Sequence, residues 1–317
     1  MFIETTENTI RQCLQDHYGL GGRLERLAGE NLNYLLTTET GLRHVVKIVD
    51  EDMPAAVVEM EFAALEFAAE AGFPVKLPKI IQNKFGNIET GIKILSKSAY
   101  RLRLISFIPG IVFENISDIS EFLSRNVGET LARYHLAMQD FDHPAAHRNH
   151  RWNLARADQH RDKLNLINNS GKKILMTWGF DTWDGVKNSL DRLPWQFIHG
   201  DMNRENILVE GDRVTGLVDF GDACFNPVSC DLAICLTYLM MDRDDPLDVM
   251  STVMEGYLGV RPLDRLERDV LLPLVCGRLA TSIAVSTARR TIDPDNPNWF
   301  GGEDSAFALL QALRGIL

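Results

Sequence analysis

The stretch that most constrains this chain is Phe197–Asp231, where two short apolar runs each hand an acid to a glycine-containing loop. The runs are Gln196–His199 and Val214–Phe220, and each reads as a short buried strand. The first delivers Asp201, with Asn206 five residues later, and the second delivers Asp219 in Asp219-Phe220-Gly221.

An acid, a carboxamide and a second acid presented in this way suit one chemistry in particular. Phosphoryl transfer leaves a protein little covalent work, so its site mostly positions groups and neutralises charge. One carboxylate must orient the attacking hydroxyl and accept its proton, and a carboxamide and a second carboxylate must hold Mg²⁺ against the phosphate oxygens. The set His199-Gly200-Asp201-x-x-x-x-Asn206 followed by Asp219-Phe220-Gly221 resembles the H-R-D-x-x-x-x-N and D-F-G pair of protein kinases. A lone D-F-G would read as a turn, but the compound pattern fixes both identities and spacing.

Composition narrows the partners. The chain has 317 residues, 45% of them hydrophobic, enough for two lobes and a large core. Its net charge of −11 disfavours nucleic acid and anionic membranes and suits a cationic small substrate. No basic run forms a nucleic-acid patch. Glu4 and Glu7 sit where a signal peptide would be basic, and the longest apolar run, Leu232–Met241, is too short to span a bilayer. Five cysteines without a C-x-x-C fit reduced thiols in a cytoplasm.

Taken in order, Thr9–Tyr18 reads as a helix stopped by Gly19. Strands follow at Arg23–Leu27, Asn33–Thr37 and His44–Val49. The first turn, with Asn31 and Asn33, is a hairpin tip of the kind that can fold over a nucleotide's phosphates. Lys47 lies inside the apolar third strand, an unusual place for a lysine without a partner. The next helix, Ala55–Ala71, supplies that partner as Glu61, with Glu59 the alternative. Strands near Asn87–Leu95 and Arg101–Phe107 close the small lobe, and the backbone at Ser106 and Ile108 is placed to meet a purine edge.

From Asp118 the pattern is helical. Ser117 or Asp118 caps Ile119–Met138, which carries a core His135. His143, His147 and His150 lie in a polar loop interrupted by Pro144, with no carboxylate positioned among them, and do not read as a zinc site. Helices are expected at Trp152–Ile167, Ile174–Leu193, Leu232–Met241, Pro246–Tyr257, Leu263–Arg290 and Asp304–Ile316. Asp231 opens one of them, either as a helix cap or as a pin for the loop around His199 and Asp201. The interval from Gly221 to Asp231 has no room for a protein-kinase activation segment and no A-P-E, which favours a small-molecule acceptor.

Together these motifs make the chain similar to the aminoglycoside phosphotransferase, or choline kinase-like, family. The likeness is carried by His199-Gly200-Asp201…Asn206-Ile207-Leu208, by Gly216–Asp222 and by Asp231-Leu232-Ala233-Ile234. Within that family it resembles the hydroxylysine kinases and their bacterial relatives in Asp219–Asp222, Ala71–Pro74 and His147–Leu154. Type II homoserine kinases are similar around Phe220–Leu236 and at Asn31-x-Asn33.

The resemblance implies an α+β, protein-kinase-like fold of two lobes. Residues 1–108 would form a small antiparallel-sheet lobe that binds nucleotide, and 109–317 a larger, mostly helical lobe. It implies Asp201 as catalytic base, Asn206 and Asp219 as metal ligands, and Lys47 with Glu61 as the phosphate-holding pair. Asp222 would take the acceptor's ammonium, with Trp152 and Asn153 nearby, and His199 and Asp231 would be structural. ATP or GTP with Mg²⁺ would be the donor. The acceptor would be an amino alcohol or hydroxy-amino acid, hydroxylysine first and homoserine second, with an aminoglycoside also open. A kinase-like binding module without catalysis would have lost Asp201, Asn206, Asp219 or Lys47, and all are present.

Overall fold

Within the first hundred positions, strands such as Thr90–Ile94 alternate buried and exposed residues, and in the computed structural model they join one sheet. The structure describes residues 2–27, 32–94, 98–294, 300 and 302–317. Two units group by contact, Met1–Glu66 with Leu77–Pro109, and Phe67–Lys76 with Gly110–Leu317.

The first unit contains α1 (Phe2–Tyr18), β1 (Gly22–Arg26), β2 (Leu32–Thr38), β3 (Arg43–Asp50), most of α2 (Ala55–Glu70), β4 (Ile80–Ile81), β5 (Thr90–Ile94) and β6 (Ser98–Ser106). The strands form one antiparallel sheet in the order β1-β2-β3-β6-β4, with β5 also on β6. Helix α1 lays Ile10, Cys13 and Leu14, at helical spacing, against Leu36, Val46, Ile48, Leu102 and Leu104. Since successive strand residues point to opposite faces, Lys47 and Arg103 are turned to the face away from that core. They stand directly opposite one another in the β3–β6 register.

The second unit holds β7 (Ile111–Val112), α3 (Glu121–Ala137), α4 (Ser170–Lys187), β8 (Trp195–Ile198), β9 (Ile207–Glu210), β10 (Arg213–Leu217), β11 (Cys224–Pro227), α5 (Val228–Met240), α6 (Pro246–Leu258), α7 (Arg265–Asp269), α8 (Leu271–Arg290) and α9 (Glu303–Arg314). Residues 67–76 group with it rather than with the remainder of 1–108. Lys76 exchanges backbone hydrogen bonds with Thr215 and Leu217, and Phe67 packs on Phe141 with ring centroids 5.3 Å apart.

Several local expectations shift. The cap of α3 is Ser120, whose Oγ accepts from the Leu123 amide at 3.0 Å, rather than Ser117 or Asp118. Trp152–Ile167 is a series of 3₁₀ turns over Leu154–Leu166, broken at Arg156. The helix expected at Leu263–Arg290 breaks at Val270, and Pro273 stands in the first turn of α8. Among the described residues, Arg265–Arg290 is long and apolar enough to cross a membrane, but 78% of its most apolar window is buried inside the chain.

Helices α3 and α6 meet through glycine. A Cβ at Gly256 would lie 1.9 Å from the Arg125 carbonyl oxygen, and one at Gly128 would lie 2.0 Å from that of Val253. Neither obstacle is a flexible side-chain end, so the helices themselves must move apart. Gly256→Ala is expected to cost ~3 kcal/mol, at the upper end for core overpacking, read as a lower urea midpoint.

Candidate active site

The loop after β8 is built around a buried carboxylate. Asp231, on the first turn of α5, is fully buried. Its Oδ2 accepts from the His199 amide at 2.9 Å and from His135 Nε2 at 3.1 Å, and its Oδ1 accepts from the Gly200 amide at 2.9 Å. His135 Nδ1 in turn accepts from the Tyr257 hydroxyl at 2.7 Å. Asp231 therefore reaches back to the loop, the second of the two roles its sequence position left open. Burial opposes its charge, but the bonds from His135 and the loop amides outweigh it and hold the carboxyl below the usual range.

Gly200 has φ +77°, and a Cβ there would lie 2.3 Å from the Asp222 carbonyl oxygen, so the centre of His-Gly-Asp must be glycine. His199 ties the two acid-bearing segments together. Its Nδ1 accepts from the Asp201 amide at 3.3 Å, which leaves Nε2 to donate to the Val218 carbonyl at 3.2 Å. The Phe220 ring packs against it, centroids 4.6 Å apart.

Asp201 is then aimed by three side chains. Arg278 Nη2 donates to Oδ1 at 2.9 Å, and Asn203 and Asn206 donate to Oδ2, each at 3.0 Å. Asn206 also donates to the Asp201 carbonyl at 2.8 Å. Burial pushes the Asp201 carboxyl up to about 7; Arg278 pulls it down, while Asp222 and Asp219 add to the rise. Because the Asn206 nitrogen is committed to Asp201, its Oδ1 is the atom left for a cation. Asp219 adopts the left-handed conformation at φ +63°, which an aspartate tolerates better than most residues. One carboxamide and one carboxylate oxygen suit a hard divalent ion that keeps water and phosphate ligands. The Asp219–Ala223 turn is held by Arg148, whose Nη2 donates to the carbonyls of Gly221 at 2.5 Å and Ala223 at 3.2 Å.

The acceptor-side expectations divide. Asp222 keeps 29% exposure and stands 3.4 Å from His150 Nδ1. The Trp152 ring lies 4.8 Å from the Arg278 guanidinium carbon. Asn153 is committed to scaffold: its Oδ1 accepts from the Ala155 amide and from Asn226, both at 3.0 Å. His143, His147 and His150 go separate ways, to the Ala145 amide, to Asp142 and to Asp222. No three or more His, Cys, Asp or Glu among the described residues could hold a metal as a group.

In the sheet unit, Lys47 is buried opposite Arg103. Glu61 makes an ion pair with Arg103, at 2.9 Å with both side chains buried. Two cations directly across a ladder repel, and Glu61 offsets that charge. Ser106 spends its amide on the Lys79 carbonyl at 2.8 Å, so that amide is not available to a purine. Ile108 is buried. Asn33 lies opposite Lys47 and its Oδ1 is buried without a hydrogen-bond partner, whereas Asn31 lies outside the described residues.

Arg278, Arg148, Arg103 and Asn203 were missed from sequence. Arg278 carried the same signal that exposed Lys47, a cation inside an apolar run, whereas Arg103 alternates with Arg101 and reads as part of a polar strand face.

The site also sets an acid limit. Burial lowers the basicity of His44, His135, His160 and His199. Below about pH 6.5, the unfolded chain takes up protons that these imidazoles refuse, so stability falls with pH. Asp201 and Glu89, both raised by burial, run the other way, two carboxyls against four imidazoles. The urea midpoint is expected to be lower at pH 5.5 than at pH 7.5. Asp231 adds a further loss only as pH falls through its lowered carboxyl range.

Residues 23–266 match the model of the phosphotransferase enzyme family, APH. A hydroxylysine kinase of Mus musculus is 26% identical over 83% of this chain and 74% of its own. A homoserine kinase of Bartonella henselae is 27% identical over 78% of this chain and 74% of its own. The solved structure of an amicoumacin kinase, in complex with AMP-PNP, Ca²⁺ and Ami, shares the fold at TM-score 0.75 and 16% identity, over 96% of this chain and 93% of its own. An antiparallel sheet unit, a helical unit and an aspartate aimed by three side chains thus accompany a family match over most of the sequence, and the chain belongs to the phosphotransferase enzyme family, with a kinase-like fold and a nucleotide as donor.

Proposed function

We propose that the chain is a small-molecule kinase that transfers the γ-phosphoryl group of ATP or GTP to the hydroxyl of an amino alcohol or hydroxy-amino acid, hydroxylysine first. The observation that carries this reading is the Asp201 carboxylate, aimed by Arg278, Asn203 and Asn206 and raised toward neutral pH, where a general base works best. Asp201 orients the acceptor hydroxyl and takes its proton as that oxygen attacks the γ-phosphorus. The bond from phosphorus to the β–γ bridging oxygen breaks, and the nucleoside diphosphate leaves. Mg²⁺, held by Asn206 and Asp219, would supply positive charge against the phosphate oxygens.

Lys47, with Glu61 held by Arg103, steadies the donor's phosphates. Asp222, beside His150, takes the acceptor's ammonium. The net charge of −11 supports a cationic acceptor. The names of the relatives support a hydroxy-amino acid, and the homoserine kinase favours homoserine as the second candidate. Five free, buried thiols suit a reducing compartment such as the cytoplasm.

The test is release of nucleoside diphosphate by the purified chain with Mg²⁺ and ATP or GTP. The acceptors offered are 5-hydroxylysine, homoserine, choline, ethanolamine and one aminoglycoside. The expected result is Mg²⁺-dependent release that requires 5-hydroxylysine. Tight nucleotide binding without release would make the chain a binding module and overturn the reading.

A further inference from the structure

Arg278 is 1% exposed in the middle of α8, among Val275, Cys276, Leu279 and Ala280, which are themselves buried. All its nitrogens are occupied. Nε donates to the Tyr238 hydroxyl at 3.2 Å, Nη1 to the Trp152 carbonyl at 3.3 Å and Nη2 to Asp201 Oδ1 at 2.9 Å. The guanidinium also lies over two rings, 4.8 Å from the Trp152 centroid and 5.3 Å from that of Tyr238. Gly277, just before it, leaves space for the buried Trp183, whose ring a Cβ would meet at 2.5 Å.

A charge this deep needs a counter-charge, and the one it has is the carboxylate that faces the reacting hydroxyl. We infer that Arg278 is a positioning residue for the reaction, fixing the plane of the Asp201 carboxylate and tying it to the Trp152 segment. The inference rests on Asp201 being the proton acceptor. The physical case is directional. A planar guanidinium donates along fixed lines, and the rings of Trp152 and Tyr238 hold that plane. With Asn203 and Asn206 on Oδ2 and Arg278 on Oδ1, the carboxylate cannot rotate about its Cβ–Cγ bond without losing a charged hydrogen bond. A lysine would supply the charge without the plane. Through Nη1 the same cation holds the Trp152 carbonyl, so the base and the segment carrying His150 and Trp152 share one support.

The test is a double-mutant cycle. Arg278→Met and Arg278→Lys are each made in the natural chain and in Asp201→Asn. ADP release is measured with the acceptor that the natural chain uses, or as acceptor-independent ATP hydrolysis, together with Mg²⁺-nucleotide affinity and the urea midpoint. Arg278→Met is expected to lower kcat by ~10²-fold, the scale of a reacting group misplaced by about 1 Å, with nucleotide affinity unchanged. Arg278→Lys is expected to recover only part of that loss. In the Asp201→Asn background the same substitutions should cost almost nothing more, because what they aim is gone.

Guanidinium ion added to Arg278→Ala should restore part of its rate. Equal losses in both backgrounds, or full activity in folded Arg278→Met, would overturn the inference while leaving Asp201 as the base. If Arg278→Met does not fold, the cycle is read from Arg278→Lys in the same way. Full activity in Asp201→Asn alone would remove the parent reading, and this inference with it.

Discussion

Asp201→Asn is expected to lower turnover by ~10²–10⁴-fold, the usual worth of a positioned general base, while nucleotide is still bound. The carboxamide loses the proton-accepting charge, and it also mismatches its surroundings. Its oxygen can still accept from Arg278, but its nitrogen then faces the donor nitrogens of Asn203 and Asn206. Asn206 has little freedom to turn, since it also donates to the Asp201 backbone carbonyl at 2.8 Å. The change therefore disturbs a proposed metal ligand as well as the base. Single-turnover ADP formation and Mg²⁺-nucleotide affinity, measured on the same preparation, separate these effects. Near-full turnover would exclude Asp201 as the base.

The largest loss of stability is expected at Asp231. Asp231→Ala strands the His199 and Gly200 amides and His135 Nε2 in a place without water. Removing one partner from such a buried, charged cluster costs ~3–5 kcal/mol, a large share of a typical domain's stability. The urea midpoint should fall accordingly, and turnover with it, because the loop that carries Asp201 loses its anchor. Asp231→Asn should cost less. Its oxygen keeps one loop amide, and its nitrogen can donate to His135 if the imidazole changes tautomer, leaving a single amide unmatched. Equal midpoints for Asp231→Ala and the natural chain would show that the network does not hold the loop.

The parts of the fold legible in sequence are those set by local rules. Alternation in β2 and β3 and the apolar stripe of α1 follow from side-chain period, so they could be placed without a structure. The shortest strands could not. β4 and β7 have two residues each and exist because another strand lies beside them, not because of their own pattern. The break at Val270 was missed although the composition changes there, from the charged Arg265–Asp269 to the apolar start of α8.

The site divides along the same line. Asp201, Asn206 and Asp219, the proposed base and metal ligands, could be singled out because phosphoryl transfer calls for such groups at short spacing on a single stretch of chain. Lys47 stood out as a cation among apolar residues, and Arg278 bore the same mark. What sequence could not supply were the contacts of the arginines: Arg103 meets Glu61, and Arg278 travels 77 residues along the chain to reach Asp201. A buried charge announces that it needs a partner, because desolvation makes it costly alone. Which partner it takes is a matter of distance in space, set by the β3–β6 register in one unit and by where α8 packs in the other. The sequence by itself determined the chemical type and the order of the proposed reacting groups. The tertiary structure alone decided which charges aim them, because those contacts join residues with no local relation.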